Sequence, residues 1–319
     1  MHQTICISHS SDVDGLASAA LVKCATKAEV YLTSYGNFID TLKAISDASE
    51  VYICDLGLSL GTIQPFFEEV NRIRRFAKVT YIDHHQKVKG LFNYKSASDL
   101  KVVHSLKDCT AALTYNYFKC VLPKEASILV AYAALTDYLE EGPIASKILA
   151  LYDRIHLYYE ASTLSYAIEQ LGDMPKKLSI LVEELSRLKY PHEIESVVEY
   201  ASEHARRVSE FMKKVKKDAK VGRKYAYIDA SDFPKGTAAN LVRCLLEVPV
   251  GLSYTVKRDS DFVELSLRAS SNYTKDLGSI TQRLASKLGG FGGGHSKASG
   301  ARIPKDSLQQ FLKALEDFL

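Results

Sequence analysis

The chain of 319 residues has no tryptophan, three methionines and eight prolines. Its six cysteines, at 6, 24, 54, 109, 120 and 244, include no C-x-x-C pair. That excludes a zinc ribbon, and cysteines scattered through apolar runs read as reduced core thiols rather than a disulfide framework. No basic-then-apolar leader opens the chain, so no signal peptide is expected. The longest apolar stretch, around Ala126–Leu135, is too short to span a bilayer and runs straight into Asp137. The expectation is a soluble, cytoplasmic protein with no membrane partner. Neither sign of charge dominates: 41 basic against 38 acidic residues leave +3. That balance neither demands nor excludes a nucleic-acid partner. There is no internal repeat and no low-complexity tail.

What the chain does have is a set of acids and histidines that end short apolar runs. His9-Ser10-Ser11-Asp12-Val13-Asp14-Gly15 follows Ile5–Ser8, Asp55 follows Val51–Cys54, and Asp83-His84-His85 follows Val79–Ile82. Short, β-branched, uniformly apolar runs between amphipathic helices predict a parallel sheet covered on both faces. Open α/β sheets place their ligands at the carboxyl ends of such strands, where these residues stand.

From Thr110 to about Lys189 the pattern is helical, with segments at Thr110–Cys120, Lys124–Tyr138 and Ala145–Tyr159 and Asp137 near the end of the second. After Pro191, His192–Lys217 reads as one long polar helix with few apolar anchors. Strands return at Tyr225–Asp229, Gly251–Lys257 and Phe262–Arg268, with helices at Thr237–Leu246, Leu277–Leu288 and Ser307–Phe318. The fold class is α/β: a parallel-sheet domain over 1–190, a helical linker over 191–223, and a smaller α/β domain over 224–319. Between the last predicted strand and the last helix, Gly289–Gly294 holds five glycines in six residues and His295 follows, read as a loop whose backbone N–H groups approach an anion. Arg268 and His295 would add charge-assisted donors.

Hard divalent cations take carboxylate oxygens, and imidazole suits Mn²⁺ better than Mg²⁺. Two ions about 3.5–4 Å apart activate water and clamp the oxygens of an in-line phosphoryl displacement. A strand-terminal aspartate alone is by default a helix cap. Here His9, Asp12, Asp14, Asp55, His84 and Asp137 converge on one sheet edge with His85 beside them, which favours a binuclear metal site. An acid such as Asp137 in an apolar helix would be costly if uncompensated. Lys213–Lys224 reads as a solvated helix face and loop, with a nucleic-acid contact the minority reading. Among the 19 tyrosines, Tyr35 could stack a base near the cleft.

These motifs resemble the DHH phosphoesterase superfamily, whose defining triplet is seen here as Asp83-His84-His85. The resemblance extends over nearly the whole chain: His9–Gly15, Asp55, the triplet and Asp137 in order. Arg268 and Gly292-Gly293-Gly294-His295 resemble the DHH-associated domain of RecJ and the nanoRNases. One departure is that this chain has one residue fewer between His9 and Asp12 than several family members. The resemblance implies two Mn²⁺ ions, with Mg²⁺ or Co²⁺ as substitutes. His9, Asp12 and Asp55 would bind one ion, and Asp14, Asp55, His84 and Asp137 the second. His85 would touch the scissile phosphate, and Asp83 would orient the histidines. Arg268 and Gly292–His295 would hold substrate.

The implied activity is a Mn²⁺-dependent phosphodiesterase, cutting short single-stranded RNA or DNA to mononucleotides by hydroxide attack at two metals. Two small-nucleotide alternatives stay in the enzyme class: a 3′-phosphoadenosine 5′-phosphate phosphatase and a cyclic-dinucleotide phosphodiesterase. An inactive scaffold subunit of a replication or repair assembly is the alternative outside it. A homodimer stays open.

Overall fold

The computed structural model describes residues 3–59, 61–86, 100–172, 174–256 and 260–319. The chain divides into two compact units, Met1–Ala205 and Arg206–Leu319.

The first unit is built on five strands: β1 (Thr4–His9), β2 (Glu29–Thr33), β3 (Glu50–Cys54), β4 (Lys78–Asp83) and β5 (Lys101–His104). All pair in parallel, in the order β2-β1-β3-β4-β5. Residues two apart share a strand face, and the sheet is buried on both. Ile5, Ile7, Val51, Ile53, Val79 and Tyr81 pack on one side with Phe38, Leu42, Phe66 and Ile73, which belong to α2 (Phe38–Lys43) and α3 (Ile63–Ile73). Cys6, Tyr52, Cys54 and Ile82 join the core on the other side. That side is covered by α1 (Val13–Thr26), α4 (Thr110–Phe118), α5 (Ser127–Thr136), α6 (Ala145–Leu149), α7 (Arg154–Leu171) and α8 (Pro175–Ser186). Helix α1 is buried over all ten residues from Val13 to Val22, and its small side chains let α4, α5 and α8 approach. The described helices break the predicted Ala145–Tyr159 segment in two, because Asp153 accepts a hydrogen bond from the His156 backbone N–H and starts a new helix.

The winding of the sheet reverses between β1 and β3. Doubly wound sheets form their ligand crevice outside the carboxyl ends at such a point. His9 ends β1, Asp55 follows β3 and Asp83 ends β4.

Helix α9 (Val197–Asp218) runs through the division between the units. Its buried residues are Val197, Ala201, His204, Val208, Phe211 and Val215. Alternating steps of four and three residues make a continuous apolar seam. Charged residues between these anchors mask the seam in the sequence.

The second unit carries a six-stranded sheet in the order β10-β11-β9-β8-β7-β6. The strands are β6 (Lys220–Val221), β7 (Tyr225–Asp229), β8 (Val250–Val256), β9 (Phe262–Ala269), β10 (Phe291–Gly294) and β11 (Ala298–Pro304). Only the β7–β8 pair is parallel, and α10 (Lys235–Leu245) makes the crossover that a parallel pair requires. Leu252, Leu265, Leu267, Leu284, Ile303 and Phe311 build the core with α11 (Leu277–Lys287) and α12 (Leu308–Phe318). Here the structure corrects a sequence expectation: the glycine run is edge strand β10, paired with β11, rather than a loop. A run of glycines carries no side-chain alternation, so a period of two has nothing to show itself in.

Candidate metal centre

The site is assembled from the ends of three strands and the starts of two helices. Asp12 caps α1, its Oδ1 accepting from the Gly15 backbone N–H at 3.0 Å, while its Oδ2 lies 2.8 Å from His9 Nδ1. Capping and the histidine contact use different oxygens, so capping the helix leaves Asp12 Oδ2 facing His9. Gly15 is required here, because a Cβ would fall 2.2 Å from the His9 carbonyl oxygen.

Asp14 is fully buried. Its two oxygens accept from the backbone N–H groups of Thr110 at 2.8 Å and Ala111 at 2.7 Å. It thus satisfies the first donors of α4 from a position 96 residues earlier in the chain. Asp55 takes a left-handed backbone conformation at φ 57°, uncommon outside glycine and strained. That turn aims its carboxylate into the site, where Oδ1 accepts from Thr110 Oγ1 at 3.1 Å.

The histidines close around these carboxylates. His84 Nε2 lies 3.4 Å from Asp55 Oδ1, 3.4 Å from Asp137 Oδ2 and 3.7 Å from Asp14 Oδ2. His9 Nδ1 lies 3.7 Å from Asp55 Oδ2. Asp137 stands at the carboxyl end of α5, as its C-cap. Three sets of ligand atoms lie within 4.8 Å of one another: His9, Asp12 and Asp55; Asp55, His84 and His85; and Asp14, His84 and Asp137. Asp55 belongs to two of them and, through His84, touches the third.

Asp83 is buried and holds His85 twice, accepting from its backbone N–H at 3.1 Å and facing Nδ1 at 2.8 Å. A carboxylate partner assigns the proton to Nδ1. Nε2 then meets the Tyr35 hydroxyl at 2.9 Å. His104, at the end of β5, adds a 2.6 Å contact from Nε2 to the His85 carbonyl oxygen. Gly57 lies against the His85 ring, where a Cβ would stand 2.6 Å from Cγ.

The electrostatics are those of an excess of buried negative charge. Burial and then the charge of Asp55 push the Asp14 carboxyl up to about 7. Burial and then Asp14 raise Asp137 well above the usual carboxylate range. Burial would raise Asp55 too, but hydrogen bonds from His84 and His9 hold it well below that range. For His84 burial opposes the charge, yet Asp55 and Asp14 carry it up to about 10. Among the described residues, no Lys or Arg forms an ion pair with Asp12, Asp14, Asp55, Asp83 or Asp137. Five carboxylates facing three imidazoles fit hard divalent cations, which would supply the missing positive charge.

Arg268 sits on β9, its Nη1 donating to Ser266 Oγ and the Leu267 carbonyl, both at 3.0 Å. Arg268 pairs with Ala298 in the sheet, and the His295 N–H donates to the Ala298 carbonyl at 2.7 Å. Both residues therefore stand at one end of the second unit's sheet, beside Gly294. Close packing explains Gly292 and Gly294, whose Cβ atoms would lie 2.9 Å and 2.4 Å from backbone oxygens. Nothing lies within 4 Å of a Cβ at Gly293, so packing does not explain that glycine.

Residues 222–319 match the DHHA1 domain family. Solved structures share the fold across the chain. A pGpG-specific phosphodiesterase, PggH of Vibrio cholerae, is 14% identical, with 98% of this chain and 97% of that one covered at a TM-score of 0.59. The DHH domain of a member of a ribosomal-protein family is 17% identical, covering 99% and 86%, at 0.69. The exonuclease RecJ bound to manganese is 16% identical, covering 99% and 89%, at 0.60. The C-terminal residues are those of a DHHA1 domain, and the chain as a whole shares its fold with solved structures that include a DHH domain and RecJ. No curated protein sequence matches it. The sequence motifs pointed to the strand-end acids and the histidine pair. They did not point to Thr110, His104, Gly57 or the Tyr35 hydroxyl, which reach the site only through tertiary contact. Among the described residues, no helix is long and apolar enough to cross a membrane.

Proposed function

We propose that this protein is a two-metal phosphodiesterase that hydrolyses short single-stranded oligonucleotides to mononucleotides, with Mn²⁺ as its preferred ion. The observation that carries the reading is Asp55, which belongs to the set with His9 and Asp12 and lies 3.4 Å from His84 of the set with Asp14 and Asp137. One set, His9, Asp12 and Asp55, would hold the first ion; Asp14, His84 and Asp137, with Asp55 bridging, would hold the second. Such a pair, when bound, would supply an acidified water and neutralise charge on the phosphate oxygens.

The chain's own groups do the rest. Asp83 keeps a proton on His85 Nδ1 and fixes the ring plane. Nε2 faces outward toward Tyr35, where, protonated, it donates to a phosphate oxygen. Burial lowers the basicity of His85, but the hydrogen bond and charge of Asp83 raise it overall, which favours the donor form. In the DHHA1 domain, Arg268 and His295 offer donors for a substrate phosphate, and the space beside Gly293 leaves room for one.

Support for a nucleotide substrate comes from PggH and RecJ, which share the fold and act, respectively, on a linear dinucleotide and as an exonuclease. The test is a panel of labelled strands from two to twenty-four nucleotides with Mn²⁺, alongside 3′-phosphoadenosine 5′-phosphate and a cyclic dinucleotide. Fastest turnover on the shortest strands supports the reading. Turnover confined to the bisphosphate or the cyclic compound replaces it, and no turnover of any of them with bound Mn²⁺ refutes it.

A further inference from the structure

Tyr35 covers part of the candidate metal centre from the loop between β2 and α2. It stands in a turn closed by the Asn37 N–H, which donates to the Ser34 carbonyl at 3.0 Å. The residue is 44% exposed, yet its side chain meets two histidines of the site. The ring lies 4.8 Å from the His9 ring, tilted at 49°, and stands edge-on to His85 at 6.0 Å. The hydroxyl meets His85 Nε2 at 2.9 Å, and the Gly57 backbone N–H approaches the same oxygen. Core packing does not account for this placement. Tyr52, Tyr81 and Tyr132, which belong to the cores of this unit, are all buried, whereas Tyr35 keeps an open side to solvent.

The direction of the hydrogen bonds says what the hydroxyl does. Asp83 keeps a proton on His85 Nδ1, so Nε2 accepts and the Tyr35 hydroxyl donates to it. The hydroxyl oxygen in turn faces the Gly57 N–H. An oxygen set between an imidazole nitrogen and a backbone N–H stands where those two groups would hold a phosphoryl oxygen. Nε2 has one hydrogen-bonding position in the ring plane. Phenol and phosphate therefore compete for it.

We propose that Tyr35 is a gate on the phosphate position: in the unliganded protein its hydroxyl holds the place of a phosphoryl oxygen on His85, and a bound phosphate displaces it and takes His85 Nε2 and the Gly57 N–H as donors. This deepens the phosphodiesterase reading and rests on its assignment of His85 to the phosphate. The closed arrangement competes with every phosphate ligand, so apparent affinity is scaled by the fraction of molecules in which the hydroxyl has moved away. The same competition favours release of a product mononucleotide, because the hydroxyl returns to His85 as the phosphate leaves. Tyr35 is thus a positioning residue that acts through His85.

Calorimetric binding of inorganic phosphate to the full chain loaded with Mn²⁺ tests this without turnover, so the outcome does not depend on which nucleotide is the substrate. Tyr35→Phe keeps the ring against His9 and deletes the hydroxyl. It should tighten phosphate binding by about two- to tenfold, the worth of one exchanged hydrogen bond, and lower KM for a labelled dinucleotide by the same factor. A tyrosine that merely props His85 in place predicts the opposite sign, with phosphate binding weakened. His85→Ala removes the group for which hydroxyl and phosphate compete. In that background Tyr35→Phe should change phosphate affinity by less than about twofold. Unchanged or weaker phosphate binding in the single Tyr35→Phe variant overturns the proposal, and so does equal tightening with His85 absent. Tightened phosphate binding without any dinucleotide turnover would overturn the substrate reading while upholding the gate.

Discussion

Replacing Gly57 by alanine should disable the candidate metal centre without dismantling it. Gly57 has no left-handed backbone torsion, so alanine is locally acceptable. The obstacle is His85. A Cβ at Gly57 would lie 2.6 Å from His85 Cγ, 2.8 Å from Cβ and 3.0 Å from Cδ2. Ordinary contact begins near 3.4 Å, so roughly 0.8 Å or more of separation must be found. The loop cannot readily retreat: the Tyr81 hydroxyl donates to the Leu56 carbonyl at 3.0 Å, and the Asp55 N–H donates to the Ile82 carbonyl at 3.1 Å. His85 therefore moves, and its Asp83 and Tyr35 contacts, at 2.8 and 2.9 Å, are lost. A displacement near 1 Å at a reacting group costs on the order of 10²-fold in rate. The assay is steady-state hydrolysis of a labelled dinucleotide with Mn²⁺, paired with a metal count and a thermal melt. The expected result is kcat down about 10²-fold with the metal count and melting temperature nearly unchanged. Wild-type kcat would refute the placement of His85 at the phosphate. A lost ion would show that His85 is a ligand instead.

Three further outcomes follow from the same geometry. Asp83→Asn should lower kcat by about 10- to 100-fold and shift the pH profile, because His85 loses the partner that raises its basicity; an unchanged profile contradicts the tautomer assignment. Metal-free protein should lose stability from about pH 5 to about pH 9. Asp14 goes from 3.8 unfolded to about 7 folded, so its folded form is penalised increasingly as pH rises across that interval. His84, at 6.5 unfolded and about 10 folded, stabilises below 6.5 and loses that contribution as pH rises through about 10. Asp55 acts oppositely only as pH falls below 3.8. A melting temperature that rises across this range, or that Mn²⁺ fails to lift at the alkaline end, contradicts the charge account. Asp108→Ala should cost about 1–3 kcal/mol in chemical denaturation, because Asp108 Oδ1 accepts from the N–H groups of Ile144 at 3.0 Å and Ala145 at 2.9 Å in a buried position; an unmoved denaturation midpoint refutes it.

Legibility in the sequence followed the range of the interactions. Ile5–Ser8, Val51–Cys54 and Val79–Ile82 announce themselves because a sheet buried on both faces needs apolar side chains at every position. Asp55 and Asp83-His84-His85 are legible because they break those runs abruptly. Strand β5 hides in Lys101–His104, a short edge strand whose only local signal is Val102-Val103. Asp14 looks like an ordinary first-turn acid. Its second task, satisfying the start of α4, depends on a contact 96 residues away that no periodicity encodes. Thr110, His104 and Gly57 act through such contacts too. Helix α9 shows the converse: charge density suggests a solvated connector, while Val197, Ala201, His204, Val208, Phe211 and Val215 are buried along it.

Anomalous diffraction at the manganese edge from crystals grown with Mn²⁺ tests the central claim most directly. The account predicts two peaks about 3.5–4 Å apart, with one Asp55 oxygen on each. The first ion should be held by His9 and Asp12, and the second by Asp14, His84 and Asp137. A single peak, or two ions without Asp55 between them, would contradict it.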